Sequence, residues 1–407
     1  MISDLSDKQG AFSPQHPLHT LSPTKAARLQ LKGVKSAFRS TPQPKGSFVD
    51  LGNGIVMSSP ELLFAEMANV MEPVVHLLLG MELCGRFSRD PVDPRNGSIV
   101  YDVDPATSIE RLRAFAQDAP GIRGARKALH TIDQLVANAW SPMEALLAAL
   151  LVLPDNELRY DLWPFALNPR KEASEHIMAY THASSRVPDI LFSGTSIGLN
   201  YDGEDHFGLW RIAETAAAAE RDPGNGHLAE EAVRALADAR QRIIADKRRD
   251  RDLEALGYVV MPVTKEDLQE RGGLDRVIKQ VIDAIEREGT RNLEAQRQML
   301  EDESLTQMRQ LFIWSLMPGA SARGARERLK ELLAKATHRT DNEHGEPEEA
   351  VDKTGAHDFE EPVSNCAAHR AMWAFARPLG GANLAPETRV VIEFWKDRAE
   401  SLLLGDV

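Results

Sequence analysis

The chain has 407 residues, a net charge of −13 and two cysteines, Cys84 and Cys366. Because the length exceeds that of one compact domain, we expect about two or three domains, and the negative charge excludes broad non-specific affinity for nucleic acid. The widely separated cysteines exclude a structural zinc site, and the lack of a signal pattern or a bilayer-long apolar stretch predicts a cytoplasmic protein with no membrane contact.

The first part of the chain is predicted to contain a loose segment and a small domain. Residues 1–45 are rich in Ser, Pro, Gln and Lys with little apolar periodicity, which predicts a mobile basic segment. An α+β domain is predicted over residues 46–134. It opens with two strands around Asn53-Gly54, a dipeptide that accepts the positive φ angles of a tight hairpin turn. A core helix then begins at Ser59.

A second unit is predicted to open with a helix at Ser141-Pro142-Met143-Glu144. Ser141 suits the N-cap, Pro142 the first helical position and Glu144 the third position after the cap. This pattern is a capping box. The capping role is sufficient by itself to explain Glu144.

A β-hairpin with two acidic residues follows. The apolar and β-branched runs within residues 186–192 and 197–206 are joined by turn residues, which predicts antiparallel strands. Asp189 belongs to the first run and Asp202 to the second. Because adjacent strands lie about 4.8 Å apart, the hairpin is expected to bring both carboxylates together as oxygen ligands for a divalent cation. The alternative is that both residues only form turns.

Basic residues are concentrated in a helical stretch after the hairpin. Lys247, Arg248 and Arg249 are candidates for binding a nucleic-acid backbone. The alternative is a solvated, ion-paired helix face, because acidic residues alternate with the basic ones. These acidic residues are Asp246, Asp250 and Asp252.

The remaining elements define the fold class of this unit. Residues 257–262 form a β-branched run that predicts a buried strand, and residues 274–285 have the spacing of an amphipathic helix. The order helix, strand, strand, helix, strand, helix predicts an α/β unit over residues 135–287. Beyond it we expect three further parts. They are a helical region over 288–337, with helices expected over 293–314 and 322–336, an acidic linker over 338–362 and C-terminal helices over 363–407.

Four motifs in the second unit resemble the PD-(D/E)XK endonuclease superfamily, and more closely its branch that includes the very-short-patch-repair endonucleases. They are Ser141-Pro-Met-Glu144, then Asp189, then Asn200-Tyr-Asp202-Gly203 with His206, and finally Asp246-Lys-Arg-Arg-Asp250 followed by Leu256-Gly-Tyr258. The resemblance covers residues 135–287. It implies a restriction-endonuclease-like mixed sheet flanked by helices, with Mg²⁺ or Mn²⁺ held by Asp189, Asp202 and Glu144.

Asn200 departs from the family pattern, which has an acid at this position, and the family's lysine is also missing. An amide oxygen can still bind a hard cation but adds no charge, so we expect weaker metal binding and less transition-state stabilisation. Glu204 is a candidate substitute ligand, or a solvated residue. His206 is a candidate proton donor, because histidine ordinarily titrates near neutrality, or a solvated loop residue.

Two functions therefore stay open. The first is a metal-dependent hydrolase that cleaves DNA phosphodiester bonds in bacterial defence or repair. The second is a catalytically degenerate DNA-binding regulator; the strand followed by Ser59-Pro60-Glu61 also resembles the antitoxins of abortive-infection systems. A homodimer contact or a protein partner is expected in the helical C-terminal half, and if this is the main role, the nuclease-like unit is only a scaffold.

Overall fold

The computed structural model describes residues 18–22, 24–26, 28, 30–32, 34–38, 44–50, 56–90, 93–94, 97–153, 158–203, 209–222, 224–317 and 321–343. These residues divide into two compact units. The first contains the described residues up to Ala137 and those from Ser321 onward, and the second contains Asn138–Leu153 and the described residues up to Met317. Helices and strands are mixed along the chain, which confirms the α/β class. Within the described residues, no helix is long and apolar enough to cross a membrane.

Three two-stranded sheets belong to the first unit. Their strands are β1 (Leu18–Ser22), β2 (Val34–Phe38), β3 (Phe48–Asp50), β4 (Val56–Ser58), β5 (Phe87–Arg89) and β6 (Ile99–Tyr101). β3 pairs antiparallel with β4, as the Asn53-Gly54 pattern predicted, although residues 51–55 lie outside the described residues. β5 pairs antiparallel with β6. β1 and β2 pair in parallel inside the segment expected to be mobile, and no sequence pattern had indicated them.

Four short helices supply most of the core of the first unit. They are α1 (Pro60–Met67), α2 (Pro73–Leu83), α3 (Ile109–Asp118) and α4 (Ala125–Ile132). α1 begins where the sequence predicted, because the Ser59 hydroxyl accepts a hydrogen bond from the backbone N–H of Leu62 at 3.2 Å. Leu62, Leu77 and Met81 are fully buried on these helices.

His76 is a core residue of the first unit. Its Nδ1 lies 2.9 Å from the Thr131 hydroxyl and its Nε2 lies 2.8 Å from the Phe64 carbonyl oxygen. The imidazole also stacks on the Phe64 ring at 4.0 Å between centroids. Burial lowers the pKa of His76 to about 4, and the bond to the Phe64 carbonyl opposes this only in part. The ring is therefore neutral at pH 7.

A mixed four-stranded sheet forms the centre of the second unit. Its strands are β7 (Phe165–Leu167), β10 (Ile190–Phe192), β11 (Ile197–Asp202) and β12 (Val259–Thr264), while β8 (Lys171–Glu172) and β9 (Ser185–Arg186) form a separate antiparallel pair. The order in the sheet is β12-β11-β10-β7. The pairs β7–β10 and β10–β11 are antiparallel, and β11–β12 is parallel. β12 lies where the β-branched run predicted a strand, but the expected burial was wrong, because β12 is an edge strand in which Val259 is 50% exposed and Val263 alone is buried. No sequence pattern had indicated β7.

Eight helices of the second unit accompany the sheet. They are α5 (Pro142–Val152), α6 (Glu175–Met178), α7 (Leu209–Arg221), α8 (Gly226–Ala255), α9 (Lys265–Gln269), α10 (Gly273–Arg287), α11 (Glu294–Glu301) and α12 (Glu303–Leu316). α5 and α10 have the lengths that the sequence patterns predicted. The helical stretch expected over 293–314 is divided at Asp302, whose carboxylate caps α12 by accepting from the N–H groups of Ser304 and Leu305.

A buried polar network ties α12 to α10. The Asp275 carboxylate accepts hydrogen bonds from the Tyr160 hydroxyl at 2.6 Å, the Thr306 hydroxyl at 2.8 Å and Arg309 Nη1 at 2.5 Å. Arg309 is fully buried and also donates to the Leu158 carbonyl. Because each polar group in this network has a partner, its burial is tolerated. The second unit therefore continues past the boundary expected at residue 287.

One long helix completes the first unit. α13 (Ser321–Glu343) extends the helix expected over 322–336 and includes the first residues of the expected acidic linker. The rest of that linker, residues 344–362, and the C-terminal helices expected over 363–407 lie outside the described residues.

Candidate functional site

The predicted hairpin is present and positions the acidic residues. In the β10–β11 pair, Ile190 faces Leu199 and Leu191 faces Gly198. Gly194 in the turn has a φ of 77°, which glycine adopts without strain, and the Thr195 hydroxyl donates to the Phe192 carbonyl at 2.9 Å. One further step along this register sets Asp189 opposite Asn200. Asp202, two residues on, shares the sheet face of Asn200.

The Asn200 and Asp189 side chains each bind a backbone N–H of the opposite strand segment. The Asn200 amide oxygen accepts from the Asp189 N–H at 2.9 Å, and the Asp189 carboxylate accepts from the Tyr201 N–H at 2.7 Å. Asn200 is buried, with 3% of its surface exposed. Its amide oxygen therefore fixes the backbone at Asp189, a role that the sequence did not indicate. One lone pair of that oxygen remains for another partner.

Glu144 caps its helix and also faces the site. The Ser141 hydroxyl accepts from the Glu144 N–H at 3.2 Å, so α5 begins with the predicted N-cap. The Glu144 carboxylate accepts from the Trp140 N–H at 2.8 Å and from the Asn168 side-chain amide at 2.6 Å. Asn168 has a φ of 49° and is held by a second bond to the Asn138 carbonyl. These hydrogen bonds fix the direction of the buried Glu144 carboxylate.

The electrostatics of Asp189 show that three carboxylates share one region. Burial raises the pKa of Asp189 to about 7, and the neighbouring Glu144 carboxylate is the second cause. Asp202 raises it further, while the Tyr201 N–H and the Arg249 guanidinium lower it. Ionisation of Asp189 is therefore unfavourable without an added positive charge. The structure thus brings the predicted residues Glu144 and Asp202 each within electrostatic reach of Asp189.

Arg249 is the member of the basic cluster that meets the acidic site. Its Nη2 donates to the Asp202 carboxylate at 3.4 Å, and both side chains are about three-quarters buried. Its Nε is buried and has no hydrogen-bond partner among the described residues. Lys247 and Arg248, by contrast, are exposed, and the Lys247 ammonium lies 3.9 Å from Asp250. Of these three basic residues, only Arg249 can act at the carboxylates themselves.

Asp252, one of the acidic residues that alternate with the basic ones, is ion-paired but does not lie on a solvated helix face. It is buried, and its carboxylate accepts from the Arg186 Nε at 2.9 Å and from the His182 N–H and ring. Although burial raises its pKa, the bonds from Arg186 and His182 hold the pKa of Asp252 below its ordinary value. Asp252 lies one turn beyond Arg249, so α8 contacts both the site strand and the β9 segment.

The candidate ligands are the carboxylates of Glu144, Asp189 and Asp202 and the side-chain amide of Asn200. Their oxygen atoms are of the kind that Mg²⁺ and Mn²⁺ bind. Within the parts of the chain that the structure describes, no group of three or more His, Cys, Asp or Glu side chains is close enough to hold a metal ion. Glu204 and His206, two further predicted residues, lie outside the described residues. Comparison of the chain with protein-family models, curated proteins and solved structures found no match.

Proposed function

We propose that this protein is a metal-dependent, endonuclease-like enzyme that hydrolyses DNA phosphodiester bonds. The observation that carries the proposal is the raised pKa of Asp189 beside Glu144 and Asp202. A buried carboxylate whose ionisation is opposed by neighbouring carboxylates favours a divalent cation, whose charge stabilises the ionised form. Glu144, Asp189 and Asp202 are the proposed ligands of Mg²⁺ or Mn²⁺.

The topology of the second unit supports a restriction-endonuclease-like fold. An α-helix that carries Glu144 precedes three antiparallel strands, and a helical connection then leads to the parallel strand β12. The hairpin of this sheet carries Asp189 and Asp202. The mixed sheet with flanking helices is the arrangement that the resemblance to the PD-(D/E)XK superfamily implies.

The residues of the site have distinct proposed roles. When bound, the cation would supply an activated water and neutralise charge on the scissile phosphate. Asn200 holds the backbone of Asp189 and so fixes the direction of its carboxylate. Arg249, whose Nε has no hydrogen-bond partner among the described residues, would donate to a phosphate oxygen as negative charge develops there. Lys247 and Arg248, exposed on the same helix, would contact the DNA backbone.

A degenerate DNA-binding protein is the second candidate function. It is favoured by one observation, the neutral Asn200, whose amide oxygen is already bonded to the Asp189 N–H. Without a charge at this position the site binds a cation more weakly. Such a protein would retain DNA affinity through Lys247, Arg248 and Arg249 without cutting, as a regulator or antitoxin-like protein.

The test is cleavage of supercoiled and linear DNA with Mg²⁺ or Mn²⁺, in parallel with DNA binding. The variants are Asp189→Ala, Asp202→Ala and Asn200→Glu, with the exposed Asp222→Ala as the matched control. Cutting by the native protein and by the control, but by neither alanine variant of the site, is the expected result. Cutting by Asn200→Glu alone would establish the degenerate binder, and cutting that survives both alanine variants would refute the assigned site.

A further inference from the structure

The helix α8 has an apolar face that no described residue covers. Ala235 and Ala239 are buried on the side toward α7. On the other side, Val233 and Leu236 are the two most exposed large apolar side chains among the described residues, at 69% and 60%, and Ile243 is 43% exposed. We call this face the α8 stripe. Its members are Ala229, Val233, Leu236, Ala237, Ile243 and Ile244.

The sequence spacing of the α8 stripe residues is that of one packing face of an α-helix. Its members recur at intervals of three, four and seven residues, which places them in one row along the helix. Single exposed apolar residues are ordinary on protein surfaces. A continuous row of them on one helix marks an interaction site instead. The row runs from residue 229 to residue 244, a length of about 24 Å at about 1.5 Å per residue.

The charges along α8 indicate what covers the stripe. Residues 226–234 contain two acidic side chains and one arginine, whereas residues 239–247 contain three basic side chains and one acidic one. The two halves of the same helix are therefore opposite in sign. An antiparallel second copy of α8 places each acidic half on the partner's basic half, while a parallel copy places like charges together.

We infer that two copies of this chain associate through their α8 stripes, antiparallel, about a two-fold axis near Leu236 and Ala237. Such a contact is self-complementary, as a two-fold dimer requires. The residue at 229 of one copy then faces the residue at 244 of the other. A single helix face buries little area, so the dimer belongs among the small interfaces and forms reversibly. This inference does not depend on the proposed nuclease activity.

Sedimentation of the full-length chain over a range of concentrations tests the association. The native protein should pass from monomer to dimer as concentration rises. Val233→Glu and Leu236→Glu should raise the dissociation constant at least about 100-fold, because each change occurs twice in the dimer and buries a charge. Ala217→Glu, an exposed position on α7 outside the stripe, is the control and should dimerise normally. Far-UV circular dichroism checks that every variant is folded.

Cysteine cross-linking tests the direction of the pairing. A mixture of Ala229→Cys and Ile244→Cys proteins should form a disulfide between copies, whereas Ala229→Cys alone should not, and peptide mass spectrometry identifies the linked residues. A native chain that is monomeric at all concentrations overturns the inference and assigns the stripe to another occupant. A dimer that survives Leu236→Glu overturns it as well, and self-linking of Ala229→Cys overturns the antiparallel arrangement.

Discussion

Replacing Asp189 with asparagine should stabilise the protein at neutral and alkaline pH when no divalent cation is present. The native pKa of Asp189 is raised from about 3.8 to about 7, chiefly by burial and then by Glu144. The native state therefore holds a proton that the unfolded chain has lost between these two values. The stability that this group contributes is fully present below pH 3.8 and is lost as the pH rises through 7.

The magnitude follows from the size of the shift. At about 1.4 kcal/mol per unit, roughly three units correspond to about 4 kcal/mol between pH 4 and pH 8. The asparagine side chain of the variant cannot ionise, yet its amide oxygen still accepts the Tyr201 N–H. The unfolding free energy of the variant should therefore rise relative to that of the native protein as the pH increases across this range, by up to about 4 kcal/mol. Mg²⁺ should narrow the gap at pH 8, because it binds the charged native carboxylate more tightly than the neutral amide.

Urea unfolding at pH 5, 6, 7 and 8 in EDTA measures the difference in unfolding free energy. Because the chain has two compact units, the transition is followed by hydrogen exchange in peptides from β10 and β11, which report on the site itself. The exposed Asp222→Asn is the control and should show no such pH dependence. A difference between Asp189→Asn and the native protein that stays constant with pH would refute the carboxylate-cluster interpretation.

Three further changes test other parts of the structure. The unfolding free energy of the first unit should fall by about 3 kcal/mol from pH 7 to pH 4, because His76 is protonated below pH 6.5 in the unfolded chain and only below about pH 4 in the native protein. In urea titrations at several pH values, His76→Gln should reduce this dependence of the unfolding free energy on pH. Arg309→Met should cost about 3–5 kcal/mol in chemical unfolding, since it leaves the Asp275 carboxylate buried without its cation, and an undiminished stability would contradict that role. Asp252→Ala should lose about 2 kcal/mol and speed protease cleavage between β8 and β9, because Arg186 loses its acceptor; unchanged cleavage would show that Asp252 does not hold this segment.

The elements predicted correctly from sequence are those that local rules determine. Ser59 and Ser141 indicated the starts of two helices, because an N-cap hydroxyl accepts a hydrogen bond from a backbone N–H only three residues later. The β10–β11 hairpin followed from two apolar runs and a short turn. The β-branched run before residue 264 indicated β12 for the same reason.

The features that the sequence did not reveal depend on distant partners. β7 is three residues long and is recognisable only by its pairing with β10. The role of Asn200 depends on the opposite residue of the hairpin, and the burial of Asp252 depends on Arg186, sixty-six residues earlier. Asp275 and Arg309 likewise look like surface charges until α12 packs on α10. Polar groups with long-range partners have no periodicity of their own, so pattern rules assign them to solvent.

The identity of residue 200 sets a balance between stability and cation binding. Asn200→Asp keeps an oxygen acceptor for the Asp189 N–H at nearly the same volume but adds a buried negative charge beside a carboxylate that already resists ionisation. In EDTA at pH 8 the variant should therefore be less stable than the native protein by about 1–3 kcal/mol. Mg²⁺ should return more stability to the variant than to the native chain, because one more charged ligand tightens the site. Titrating Mg²⁺ during urea unfolding of both proteins measures this difference, and an equal response would mean that residue 200 lies outside the cation's reach.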